Sequence, residues 1–265
     1  RFYLKDIATH LTGDYTGPSE IACTHLASPH DDPIGALVLC FERQYIQRSE
    51  QAGIIGCVTT VELSQLIPPA VPTIIITNPA EALTKLLGYF ERPTLVTRGV
   101  FHHSASIDPT SEVHPSVHIG AHCVIGPRCN IGRNVQIHAG VIIEADVQIG
   151  EGCIIHSRAV LMHTIEIGKQ VRVGPGCVIG AEGFSIDQHK LRPHIGSVRI
   201  GDHCTMGANS CIDRGTIGLT RIGNHTHLDN LVQVGHNAQI GNHVIICGQV
   251  GIAGGAIIED AVVLG

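Results

Sequence analysis

From Ile107 onward the chain repeats an aliphatic residue at every sixth position: Ile107, Val113, Ile119, Ile125, Ile131, Ile137, Ile143, Ile149, Ile155, Leu161, Ile167, Val173 and Ile179. After a break the beat resumes at Ile200, Met206 and Ile212. It resumes again at Ile222 and runs through Leu228, Val234, Ile240, Ile246, Ile252 and Ile258 to Leu264. Self-similarity at so short a period marks a solenoid, and a period of six marks a parallel β-helix. Three hexads per triangular coil turn the 24 repeats into about eight coils, stacked at the ~4.8 Å spacing of paired strands. Gly follows the aliphatic residue in 13 of the 24 repeats, which suits a sharp bend there. A small or β-branched residue comes four places after it, as in Cys123, Cys129, Val135, Val141 and Cys153, so both apolar slots point inward. His, Arg, Asn, Glu and Asp fill the rest and face water.

The predicted fold is therefore an all-β solenoid over residues 101–265, a parallel β-helix of hexapeptide repeats, preceded by a small α/β domain over residues 1–100. In that first region Leu4, Ile7, Ala8 and Leu11 have helical spacing. Ile21–Leu26, Gly35–Phe41, Gly53–Thr59 and Pro72–Thr77 read as short buried strands. Tyr45–Ala52 and Ala80–Phe90 read as helices, the second opened by Asn78-Pro79 and striped with Ala82, Leu83, Leu86 and Leu87. The segment around Glu91–Val100 is the expected linker. The hexads break between Ile179 and Ile200, across a polar loop from Gly183 to His194, and between Ile212 and Ile222, around Gly215–Thr220. Insertions on a repeat protein are where function concentrates, although a bland surface loop is the competing reading. A chain that opens on Arg1 and closes on Gly265 inside a hexad reads as trimmed at both ends.

Charge and composition narrow the function. A net charge of −6 argues against a nucleic-acid partner. No stretch reaches the ~18 apolar residues of a membrane span, and Arg1–Asp6 lacks the apolar run of a signal peptide. None of the ten Cys forms a C-x-x-C pair, and Cys123, Cys129, Cys153, Cys177 and Cys204 fall in the small inward slot. They read as reduced core thiols, which implies a reducing compartment and a cytoplasmic location. His122, His203, His225 and His243 share one outward slot and read as solvated turn residues. Zinc held between solenoid chains is the sharpest metal alternative, but His225, His227, His236 and His243 do not reproduce a convergent spacing, so no metal is expected.

One stretch carries more. Ile212-Asp213-Arg214-Gly215, Ile222-Gly223-Asn224, Asp229-Asn230, Gln233-Val234-Gly235-His236-Asn237 and Ile240-Gly241 follow one another in order. With Gly180-Ala181-Glu182-Gly183-Phe184 and Pro193-His194-Ile195-Gly196, this series closely resembles the UDP-3-O-acylglucosamine N-acyltransferase family of lipid A biosynthesis. The resemblance runs from about residue 4 to the end and is most specific over 180–255. It implies a homotrimer of left-handed β-helices and an N-terminal uridine-binding domain. It also implies a 3-hydroxyacyl chain delivered as a thioester on acyl carrier protein, whose phosphopantetheine serves in place of any intrinsic cofactor. The family's general base falls on His236, and imidazole chemistry suits it: a glucosamine nitrogen must lose a proton to attack a thioester, and His titrates near neutrality. Family members stabilise the resulting oxyanion with a backbone N–H one coil on. Gly254 lies 18 residues beyond His236, which is three hexads.

The resemblance also assigns substrate contacts to Asp229, Asn230 and Asn237. For the uracil, Phe41 and Tyr45 are the expected stacking rings and Arg43 the phosphate ligand, in Phe41-Glu42-Arg43-Gln44-Tyr45, which lacks the family's Asn-Pro pair. Ordinary core packing of both rings is the competing reading. Arg128, Arg133, Arg158, Arg172 and Arg221 are candidates for a basic strip that meets an acidic carrier protein, with solvated turn positions as the alternative. Two other functions remain open at this point: O-acyl or O-acetyl transfer to a nucleotide sugar, and a non-catalytic trimeric paralogue that binds one.

Overall fold

A computed structural model describes residues 1–28, 30–91 and 99–265. Its backbone forms two compact units, Arg1–Thr94 and Leu95–Gly265. Most of the segment expected as a linker, 92–98, lies outside the described residues.

In the first unit a five-stranded sheet runs in the order Asp14–Thr16, Thr73–Ile76, Gly56–Thr60, Ala36–Cys40 and His25–Ala27. The last four strands are mutually parallel and the first is antiparallel. Alternation along the strands sends Leu37, Val58 and Ile74 to one face, against Leu4, Ile7 and Leu11 of the helix Leu4–Leu11. Ala36, Val38, Cys40 and Cys57 pack on the other face with Ile67. The helix Pro79–Phe90 starts as its sequence requires, with Asn78 Oδ1 accepting from the Glu81 N–H at 3.3 Å and Pro79 in the first turn. Its buried stripe is narrower than expected: Ala82 and Leu86 are inside, whereas Leu87 is 58% exposed. The expected helix at Tyr45–Ala52 is a 3₁₀ helix, Arg43–Glu50.

The second unit is a three-sided parallel β-helix. Each face is an eight-stranded sheet of two- to four-residue strands. Every inward aliphatic residue pairs with its counterpart one coil on: Ile125 with Ile143 on the first face, Ile131 with Ile149 on the second, Ile137 with Ile155 on the third. These ladders form one continuous core from Val117 to Ile252.

The corners correct the expectation for glycine. The left-handed backbone falls three places after the aliphatic residue, at His122 (φ 58°), Arg128, Asn134, Asp146, His203, His225 and His243. The glycines that follow the aliphatic residue sit instead where the next coil presses closest. A Cβ on Gly150 would stand 2.5 Å from the Gly168 carbonyl oxygen, and one on Gly120 2.7 Å from the Ala139 nitrogen. Clearance between coils, and not a bend, excludes the side chain.

The small inward slot also has a second task. The carbonyl just after each inward aliphatic residue sits at a corner that the strand ladders do not reach. Cys123, Cys129, Cys153 and Cys204 donate S–H to such carbonyls, those of His138, Glu144, Gly168 and Gly223, at 2.9–3.0 Å. Burial pushes the Cys153 and Cys204 thiols up to about 11, which keeps them protonated donors at neutral pH. Ser111, Ser210 and Thr226 make the same bond to Gly126, Asp229 and Gly241. They also accept the N–H of the matching slot one coil on, as Thr226 does from Val244 at 3.1 Å. All ten Cys are unpaired, and no helix among the described residues is long and apolar enough to cross a membrane.

This bridge gives a near-isosteric test. Thr226→Val keeps the volume of a fully buried side chain and removes both bonds, leaving the Val244 N–H and the Gly241 carbonyl unpaired. The expected cost is about 1–3 kcal/mol, read as a lowered melting temperature, with Thr226→Ser much closer to wild type. Unchanged stability in Thr226→Val would show the slot to be simple filling.

Candidate active site

Both breaks in the hexad rhythm leave the prism at the same corner, between the first and second faces, in consecutive coils. The first, after Ile179, projects as an antiparallel hairpin of Ile186–Asp187 and Lys190–Leu191 and returns through Ser197–Ile200. The second leaves after Ile212 and rests on it: Ile195 N–H donates to the Thr216 carbonyl, Gly196 to Gly215 and Ser197 to Gly218, at 2.8–3.0 Å. In the next coil the same corner is Val234-Gly235-His236-Asn237, which has no insertion. His236 thus stands where the two inserted segments end and the regular corner resumes.

A buried cation fastens this departure. Arg214 is 2% exposed, and its Nε donates to the Gly180 carbonyl at 2.7 Å. Its other nitrogens reach the His163 carbonyl and His163 Nε2. His163 Nδ1 in turn meets Glu144 at 3.2 Å. Burial pulls the Arg214 pKa down, with Glu144 and Glu182 opposing. The sequence shows Arg214 only as part of a motif and gives neither it nor His163 a role, because the reach of one into the coil of the other is invisible along the chain.

The geometry around His236 fixes its tautomer. Asn237 Oδ1 accepts the Thr216 N–H at 2.9 Å while its Nδ2 donates to the Ile217 carbonyl at 2.7 Å, so the amide orientation is set by two backbone groups. His236 Nδ1 lies 3.2 Å from that same oxygen and 3.2 Å from Thr216 Oγ1. Facing an acceptor, Nδ1 carries the hydrogen, which leaves a lone pair on Nε2. Nε2 points at Gly254, where an added Cβ would stand only 2.7 Å away. Among the described residues no acceptor takes the Gly254 N–H; the same slot is also free at Ala121, Ala139 and Ala145, and is claimed by side chains at His163 and Ala208, by Glu144 and Asn230.

These groups line a cleft of about 430 Å³ with Glu182, Phe184, Asp213 and Gln233. Behind it, His194 is 3% exposed and packs edge-on against His236, ring centroids 5.1 Å apart. Its Nδ1 meets the Arg192 carbonyl, and its Nε2 has no partner among the described residues.

The other expected site residues are distributed differently. Asn237 is occupied in orienting His236 and holding the second insertion, not in presenting a free amide to substrate. Asp229 and Asn230 follow Leu228 on the third face and are absent from the His236 cleft of one chain. Asn230 Oδ1 caps Ala208, and Asp229 Oδ1 takes the Asn230 N–H. In the first unit Phe41 and Arg43 line a cleft of about 440 Å³ at the carboxyl ends of the parallel strands, with Thr60, Thr77 and Pro79. Tyr45 lies instead beside His30, Gln44 and Arg48, so the two rings do not face one cleft. His203, His225 and His243 stack in parallel at 4.8 and 4.9 Å, His227 projects from the third face, and His236 stands at another corner. Among the described residues no group of three or more His, Cys, Asp or Glu could hold a metal ion. The arginines do not form one strip: Arg128 forms a two-pronged pair with Asp146 at 2.7 Å, and Arg172 and Arg221 lie on different faces.

Comparison with known proteins adds the following. Residues 219–254 match the family described as bacterial transferase hexapeptide (six repeats), and 197–218 match the hexapeptide repeat of succinyl-transferase. Residues 100–183 match the GMPPB C-terminal domain. These hexapeptide matches agree with the six-residue period and the parallel β-helix of the solenoid. The UDP-3-O-acylglucosamine N-acyltransferase of Coxiella burnetii is 33% identical over 258 residues, 96% of this chain and 75% of that protein. UDP-3-O-acylglucosamine N-acyltransferase 1 of Legionella pneumophila is 42% identical over 257 residues, 94% of this chain and 71% of that one. A solved UDP-N-acetylglucosamine acyltransferase from Bacteroides fragilis is 29% identical, with a TM-score of 0.40, over 61% of this chain and 56% of that one.

The tautomer can be read without any substrate. Nitrogen-15 NMR of neutral His236 is expected to show hydrogen on Nδ1 and a bare Nε2. Asn237→Ala should shift the population toward the Nε2–H form, and an unchanged spectrum would remove Asn237 from this role.

Proposed function

The chain belongs to the UDP-3-O-acylglucosamine N-acyltransferase family, and from that premise we propose that it moves a 3-hydroxyacyl chain from acyl carrier protein to the 2-amino group of a UDP-3-O-acylglucosamine in lipid A biosynthesis. The observation that carries this reading is the pairing of a bare His236 Nε2 with the unclaimed Gly254 N–H in one cleft.

The chemistry follows from those two groups. The amine nitrogen attacks the thioester carbonyl carbon, and His236 Nε2 removes a hydrogen from that nitrogen as the C–N bond forms. Negative charge develops on the carbonyl oxygen, and the Gly254 N–H is the donor available to meet it. When the C–S bond breaks, the imidazolium returns its proton to the departing phosphopantetheine sulfur. The products are an amide and a free thiol, and the base is regenerated.

Two further parts of the proposal rest on surface features. Phe41 and Arg43, at the strand ends of the first unit, are the residues offered to the uracil and the diphosphate, with Tyr45 in a secondary position at most. The inserted segments expose Phe184, Ile195 and Ile217 at 75–80%, apolar surface that a homotrimer would cover. Unpaired thiols suit a reducing compartment such as the cytoplasm.

His236→Ala is expected to lower acyl transfer by about 10²–10⁴-fold, the range of general-base catalysis, with the assembly and melting temperature intact. Near-normal turnover would sink the assignment. Gly254→Ala is expected to lower kcat as well, since the new methyl meets Nε2 at 2.7 Å. In the first unit, Phe41→Ala should raise KM for the nucleotide sugar with kcat little changed, and Tyr45→Ala should do so far less. The reverse order would move the uracil to the 3₁₀ helix.

A further inference from the structure

The His236 cleft contains a carboxylate for which the transfer just described gives no role. Asp213 is 8% exposed and lines the cleft with His236 and Gly254. It fills a corner slot that is glycine in the hexads on either side along the same face, Gly180 and Gly235, so its side chain is the one that projects there. Its known donors are few. The Cys211 thiol reaches Oδ1 at 3.8 Å, and the Gln233 side chain lines the same cleft. An ionised carboxylate has about four acceptor sites, so capacity remains on the cleft side.

No cation answers this charge. Among the described residues no Lys or Arg forms a salt bridge with Asp213, and the cleft lining holds a second carboxylate, Glu182, but neither Lys nor Arg. The adjacent Arg214 turns away to Gly180 and His163. Burial pushes the Asp213 carboxyl up, while Gln233, Cys211 and the imidazoles of His236 and His194 hold it down. A buried carboxylate without a counter-ion, open to a cleft, is a costly arrangement that a cationic or multiply donating ligand relieves.

The acceptor supplies such a group. A hydroxyl carries one hydrogen, and the base takes it. An amine carries two, and three as ammonium. One hydrogen goes to His236 Nε2 and then to the leaving sulfur, one stays on the nitrogen of the amide product, and the extra proton of an ammonium is released to solvent before attack. The retained hydrogen needs an acceptor inside the cleft; Gly254 offers only a donor, Glu182 is exposed, and Asp213 is the buried carboxylate of the lining.

We infer that Asp213 selects an amine over a hydroxyl as acyl acceptor, by accepting the hydrogen that the nitrogen keeps and by drawing in the charged amine. This rests on the transfer reading above, with His236 as the base.

The test compares two acceptors, UDP-3-O-acylglucosamine and its 2-hydroxyl analogue UDP-3-O-acylglucose, on the full chain with an acyl carrier protein thioester. Asp213→Asn is isosteric, and circular dichroism and sedimentation check that fold and assembly survive. It is expected to lower kcat/KM for the amine by about 10- to 100-fold, the loss of one charge-assisted hydrogen bond. Turnover of the hydroxyl analogue should change less than about threefold, on the same reasoning. Asp213→Glu, which keeps the charge, should retain part of the amine preference.

An unchanged preference in Asp213→Asn, or an equal loss on both acceptors, overturns the inference. Calorimetry of the two acceptors without donor separates it from the transfer reading. If neither acceptor is turned over, that reading fails, yet an amine preference in binding that Asp213→Asn erases still upholds the carboxylate. Equal binding of amine and hydroxyl by the wild-type chain overturns it.

Discussion

At seven of its corners, where the strand ladders stop, the solenoid is tied by hydrogen bonds from inside its core. A two-residue strand pairs its backbone only while it lies on a face, and the carbonyl just past the inward aliphatic residue turns away unpaired. A buried carbonyl left unsatisfied at such a corner costs about 1–3 kcal/mol. The thiols of Cys123, Cys129, Cys153 and Cys204 and the hydroxyls of Ser111, Ser210 and Thr226 answer these carbonyls from inside. A core slot that looks like simple small-residue filling is therefore part of the backbone hydrogen-bond network.

The active corner is where this economy is broken and repaired. Two consecutive coils let the chain out, and the exposed backbone is recovered by bonding one insertion to the other and by burying the Arg214 guanidinium against Gly180 and His163. Asn237 joins that repair to chemistry. The amide that holds Thr216 and Ile217 in place also decides which nitrogen of His236 is bare. Stability of the insertion and readiness of the base are one arrangement of hydrogen bonds.

The six-residue beat made most of the architecture legible, because a solenoid repeats its contacts at the interval at which it repeats its residues. The count from His236 to Gly254 placed the two side by side for the same reason: that coil has no insertion. Where insertions intervene the count is lost, so no role was legible for Asp213 in the cleft lining or for Arg214 and His163, which fasten the insertion. Glycine was read as a bend because composition cannot tell a turn from a clearance of under 3 Å to the next coil. In the first unit the short buried strands and the Asn78-Pro79 helix start followed from local pattern, while the parallel pairing of the strands came only with the structure. The separation of Phe41 from Tyr45 did not, since it depends on a tight 3₁₀ turn whose residues read equally well as α-helix.

The crowded corner glycines also say where this unit is stiff and where it can give. With coil meeting coil so closely at Gly120, Gly150, Gly168 and Gly174, the shaft has almost no axial compliance. A long acyl chain and a bulky nucleotide sugar must nevertheless enter and leave. The hairpin between Gly183 and Ile195 is held to the prism by its two ends and a few backbone bonds, so a displacement there would part no coil from its neighbour. In mechanical terms the solenoid is the anvil, and the insertion is a part mounted on it at a single corner.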